Sequence, residues 1–180
     1  MSKKAAIEMS MNTFVTIVLV VIVMVLAIFF IQKIFLSGTN AIDSIDSQVQ
    51  SEINKLFADE GGKLAVYPSS KQITIKRGDD PKGFAFSVKN DRNDKSTTYK
   101  YLITASDVSD CGGSIIKTDA ESYLLTKPTE FNLGPSASLD AELVLFKIPK
   151  SAPACTMVYS LEIKRGTESY ASARIYLTTK

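Results

Sequence analysis

From Phe14 to Ile31 the chain is apolar at every position except Thr16, and apolar residues return at Ile34, Phe35 and Leu36. The run is close to the roughly 20 residues that a helix needs to cross a bilayer. It has no polar face, so it predicts a helix surrounded by other apolar groups. Ser37-Gly38-Thr39-Asn40 then interrupts it with poor helix formers. Beyond the interruption, Ile42, Ile45, Val49, Ile53, Leu56 and Phe57 recur at spacings of three and four. Such spacings place one apolar stripe on a helix, and Gly61-Gly62 supplies its stop. The pattern therefore predicts one long helix over residues 6–60, weak near residues 37–40 and about 80 Å long at ~1.5 Å per residue.

After Leu64 the period changes to two. Phe84, Phe86 and Val88 alternate with Ala85, Ser87 and Lys89, and Tyr99, Tyr101 and Ile103 with Lys100, Leu102 and Thr104. Met157, Tyr159, Leu161 and Ile163 alternate with Val158, Ser160, Glu162 and Lys164. Ala171, Ala173, Ile175 and Leu177 alternate with Ser172, Arg174, Tyr176 and Thr178. Further strands are predicted at Lys71–Arg77, Ser114–Lys117, Ser122–Leu125, Glu130–Leu133 and Ala141–Ile148, with Gly-, Asp- and Pro-rich turns between them. Many short strands without helical periods imply an immunoglobulin-like antiparallel β-sandwich over residues 61–180. The expected fold class is thus α+β, a long N-terminal helix followed by a β head. If Ala171 to Leu177 points inward, Tyr170 and Tyr176 fall on the outer face.

Composition narrows the function classes. The 180 residues carry a net charge of +2 with no block of basic residues, so no nucleic-acid partner is predicted. Histidine is absent, which rules out Ser-His-Asp and Cys-His catalysis. No catalytic constellation is found, and an enzyme is not predicted; nor is a cofactor or a metal. Asp79, Asp80, Asp91 and Asp94 lack the spacing of a calcium loop and read as solvated turn residues. Arg77-Gly78-Asp79 reads as a turn rather than an adhesive tripeptide. The two cysteines, Cys111 and Cys155, are expected to form a disulfide outside the cytoplasm, worth roughly 4 kcal/mol for a loop of this size. Two separate buried thiols are the alternative.

The apolar run is longer than a secretory signal core, and the stretch after it has no small-residue cleavage pattern. Lys3 and Lys4 precede it against Lys33 behind it, which puts the N-terminus in the cytoplasm and the bulk of the chain outside. The order Lys3-Lys4-Ala5-Ala6-Ile7-Glu8 before the run resembles the class III signal of archaeal type IV pilin-like and archaellin-like filament subunits. That resemblance implies a leader of residues 1–5, cleavage between Ala5 and Ala6, and retention of the apolar helix. It covers roughly residues 3–36. Cleavage there makes Glu8 the third mature residue rather than the fifth, which departs from bacterial type IV pilins; an acidic residue in a first helical turn also favours the helix dipole.

The resemblance implies a structural subunit of an extracellular filament, with the helices packed inside and β heads outside serving adhesion. Its partners would be copies of itself, the membrane before assembly, a prepilin peptidase and an ATP-driven assembly platform. Glu8, Phe14, Leu19, Ile22, Leu26, Phe30 and Gly38 are the expected assembly positions. The alternative is a single-pass membrane-anchored protein with an extracytoplasmic binding domain.

Overall fold

A computed structural model describes residues 13–28, 42, 45, 47–60 and 62–180, the side chains of 58–60 excepted. Its contacts divide the chain into two compact units, Met1–Gly38 and Thr39–Lys180. In the first, residues 13–28 form helix α1. The second contains helix α2 (Ser47–Glu60), strands β1 (Leu64–Tyr67), β2 (Gln72–Ile75), β3 (Lys82–Val88) and β4 (Thr97–Asp107), and a short 3-10 turn at Ser109–Cys111. Helix α3 (Lys117–Ser122) follows, then strands β5 (Glu130–Leu133), β6 (Glu142–Phe146), β7 (Thr156–Arg165) and β8 (Glu168–Thr179).

The expected α+β fold built on one long N-terminal helix is corrected: the described structure is mainly β, and its helices are short. Ile42 decides the point. Its N–H and carbonyl both bond to Gly83, at 3.0 and 2.6 Å, so it lies extended beside β3 as an isolated antiparallel bridge. A helical residue gives these groups to its own helix, and a continuous helix over 6–60 cannot pass through this position. The transmembrane helix is corrected as well: no helix among the described residues is long and apolar enough to cross a membrane. The weak point expected at residues 37–40 lies outside the described residues.

The β part is consistent with an immunoglobulin-like sandwich. One sheet has the order β1-β3-β6 and the other β2-β8-β7-β4-β5. The chain changes sheet between β1 and β2, so that β1 runs antiparallel to β3 and β2 runs parallel to β8. Alternation drives the packing. Phe84, Phe86, Tyr99, Tyr101, Phe146, Tyr159, Leu161 and Ile175 all turn into the space between the sheets and are essentially inaccessible.

The three-stranded sheet is buried on its outer side too. There Ala65 and Ala85 meet Val49 and Ile53 of α2, with Ile42, Leu56, Phe57 and Tyr67 around them. Small residues on the outer side of β1 and β3 let a helix lie close. The stripe predicted for this segment is therefore spent largely on the protein's own head. Every residue of β3 after Lys82 is buried, as expected of a strand covered on both faces.

Two predicted strands are absent. Ser114–Lys117 and Ser122–Leu125 flank or enter α3 instead, and only Leu124 makes a bridge, to Phe146. The Asp119 carboxylate accepts the Ile116 N–H at 3.1 Å and closes the first turn of α3. The buried Ala120 carbonyl then accepts the Tyr159 hydroxyl at 2.7 Å, fixing α3 to the core.

Candidate functional site

Of the residues expected to act in assembly, Phe14, Leu19, Ile22 and Leu26 lie on α1, where they are 64%, 59%, 54% and 52% exposed. The remaining large apolar residues described on the helix are exposed to a similar extent. Ala5, Ala6, Glu8, Phe30 and Gly38 lie outside the described residues. The expected disulfide is present: Cys111 and Cys155 are bonded, their Cα atoms 5.0 Å apart and 44 positions apart in sequence. It ties the 3-10 turn after β4 to the entry of β7. Asp110 supports the same join by accepting the Thr156 N–H at 2.8 Å.

A polar cleft of about 350 Å3 opens at one end of the sandwich. Gly62 and Lys63 reach it from the α2–β1 connection, Asn90, Asp91 and Asn93 from the β3–β4 connection, Ser136 from the β5–β6 connection, and Tyr170 from β8. Tyr170 was expected on the outer face. Strand pairing explains why it is not: Ile163 faces Ala171 but Lys164 faces Ser169, so Tyr170 is the extra residue of a β-bulge. The bulge turns its ring inward, and it is 8% exposed. Tyr176, beyond the bulge, is outward and 40% exposed as expected.

The Tyr170 ring packs on Tyr99 with centroids 4.9 Å apart, and Lys63 Nζ and Arg165 Cζ sit 4.7 and 5.2 Å from its centroid. Asp91 binds both cations, Lys63 at 3.2 Å and Arg165 at 3.1 Å. Partial burial works to raise the Asp91 carboxyl, but the Lys63 hydrogen bond and the charges of Lys63 and Arg165 outweigh it and hold the group below the ordinary carboxylate range. Burial, and then the neighbouring Tyr99 and Asp91, push the Tyr170 phenol well above its ordinary value. Its hydroxyl donates to the Lys89 carbonyl at 2.6 Å.

Beneath them Asn90 is 1% exposed. Its amide donates to the carbonyls of Lys95, Leu133 and Gly134 at 3.1, 3.2 and 2.9 Å. Its oxygen accepts the Tyr99 hydroxyl at 2.9 Å and the Arg92 N–H at 3.1 Å. Near neutral pH this cluster offers an ionised carboxylate and a protonated phenol, each already engaged. It fastens three chain connections together. Asp91, which sequence spacing assigned to a solvated turn, has two charged partners. Long-range pairings of this kind leave no local spacing to read.

No family model and no curated protein matches this chain. Similar solved structures include the ASH/PapD-like domain of human CEP192, at 13% identity and a TM-score of 0.41, covering 66% of this chain and 84% of that one. A family 123 glycoside hydrolase from Clostridium perfringens, studied for glycolipid glycan hydrolysis, matches at 13% identity and 0.40, covering 59% of this chain and 23% of the other. The periplasmic chaperone SfaE matches at 11% and 0.38, covering 65% and 56%. Likenesses this distant carry no functional argument. None of these three structures is a pilin, and the expected description as a transmembrane protein is corrected, because no described helix is long and apolar enough to cross a membrane.

Proposed function

We propose that the protein is a structural subunit of a type IV pilus-like extracellular filament, assembled by packing α1 against α1 of other copies, with the β heads outside serving adhesion or surface attachment. The observation that supports this reading is the exposure of α1. Its large apolar residues lie between 42% and 64% exposed, from Val18 to Phe14, while the head packs most of its apolar side chains into two clusters. Hiding one such side chain from water contributes ~1.5–3 kcal/mol. A helix apolar on every side gains most in a bundle with neighbours all round it. The resemblance of residues 3–36 to a class III signal adds a peptidase that cuts between Ala5 and Ala6 and an ATP-driven assembly platform as partners.

The test is to shear appendages from cells that make the protein, image them, and determine the mature N-terminus by mass spectrometry. Filaments containing this chain, starting at Ala6, are expected. Ile22→Asp is expected to abolish filaments while leaving the disulfide and the β-sheet circular dichroism of the head intact. Sheared filaments that lack this chain would overturn the reading. An intact Met1 or Ser2 on a chain found only as a monomer would overturn it in favour of the anchored alternative.

A further inference from the structure

We infer that the outer face of the five-stranded sheet carries a binding site for a single neutral hexopyranose unit, built by Asp107, Val158, Arg174 and Tyr176. A shallow cleft of about 370 Å3 lies there, lined by these residues and Ser106. The volume is within the ~300–1,000 Å3 range of small-molecule sites. Strand register assembles the row: Asp107 of β4 faces Val158 of β7, and Val158 faces Tyr176 of β8. Arg174 stands two residues before Tyr176 on the same face, opposite Ser160.

Asp107 reaches this face through a second irregularity. Ala105 is buried and faces Tyr159, yet Asp107, two positions on, faces Val158. Ser106 is the extra residue; in an unbroken ladder it would face Val158, and Asp107 would point into the core on the same side as Ala105. The Ser106 hydroxyl is occupied by the Val158 carbonyl at 3.0 Å. Asp107 Oδ1 accepts the Ser109 N–H at 2.9 Å, which anchors the carboxylate.

The chemistry matches one sugar ring. Tyr176 is the one exposed aromatic side chain among the described residues of the sandwich, and with half-buried Val158 it offers an apolar platform for the C–H face of a pyranose. Arg174 makes no ion pair or side-chain hydrogen bond among the described residues, and so presents five N–H donors. Asp107 supplies an acceptor on the far side of Val158. Donor, apolar floor and acceptor in one row suit a ring that carries hydroxyls at its rim. The site lies within the head, so it stands apart from the filament reading, and loss of sugar binding leaves polymerisation untouched.

The experiment is saturation-transfer difference NMR on the full chain with methyl α-glucoside, methyl α-galactoside and methyl α-mannoside. At least one is expected to show transfer to its ring protons. Tyr176→Ala and Arg174→Ala are each expected to weaken that sugar's binding at least tenfold, and Tyr176→Phe, which keeps the ring, by less than threefold. Amide shifts on titration of the unsubstituted chain are expected at Asp107, Val158, Arg174 and Tyr176, a readout that does not depend on any variant folding. Absence of transfer from all three glycosides, shifts that map elsewhere, or alanine variants that bind as the unsubstituted chain does would each overturn the proposal.

Discussion

Asn90 shows how much one buried polar side chain can fasten. Two amide hydrogens serve three carbonyls, and the oxygen serves a hydroxyl and a backbone N–H. Removing it leaves the fully buried Tyr99 hydroxyl without its acceptor. At about 1–3 kcal/mol for each buried group left unsatisfied, Asn90→Ala is expected to cost about 3 kcal/mol or more, read as a shift of the urea midpoint at unchanged m-value. Asp91 is a smaller matter, because it and Lys63 are both more than a third exposed and water screens the pair. Its carboxyl is depressed in the folded state, so its contribution is present above the unfolded value of about 4 and is lost as pH falls through the folded one. The melting-temperature difference between the unsubstituted chain and Asp91→Asn is therefore expected near pH 6 and to shrink steadily as the pH falls below about 4. A difference that grows on acidification would contradict the assigned ion pairs.

At the scale of elements, alternation made β3, β4, β7 and β8 readable, because each keeps an apolar face on the core over many residues. It failed where one residue changes the parity. Tyr170 sits in a bulge and turns in; nothing local in Glu168-Ser169-Tyr170 announces that. β1 is four residues long and α3 six, too short for either period to declare itself. The helical stripe from Val49 to Phe57 was legible, but its true partner, the outer side of β1 and β3, is set by the alanines at 65 and 85, which only strand pairing brings side by side. Ile42 carried the same apolar signal as Ile53 and belongs to a strand pairing instead. Ile53 is fully buried between α2 and this sheet. Ile53→Ala is expected to destabilise the head by about 2–4 kcal/mol, measured by thermal or urea unfolding. A cost below about 1 kcal/mol would show that α2 does not cover the sheet in solution.

For the whole molecule, the sequence separated an apolar helix from a β head, and the described structure retains that division while denying a single rod through both. The candidate sites were the least legible part. The cleft at Tyr170 and the row through Val158 each draw on three or more segments, brought together only by sheet register. The disulfide has a further consequence at this scale. Cys111 and Cys155 enclose α3, β5 and β6 in a covalent ring. A protease that nicks any one peptide bond between them therefore cuts the backbone without releasing a fragment. The connections most open to attack on this stretch can be severed while the head stays in one piece.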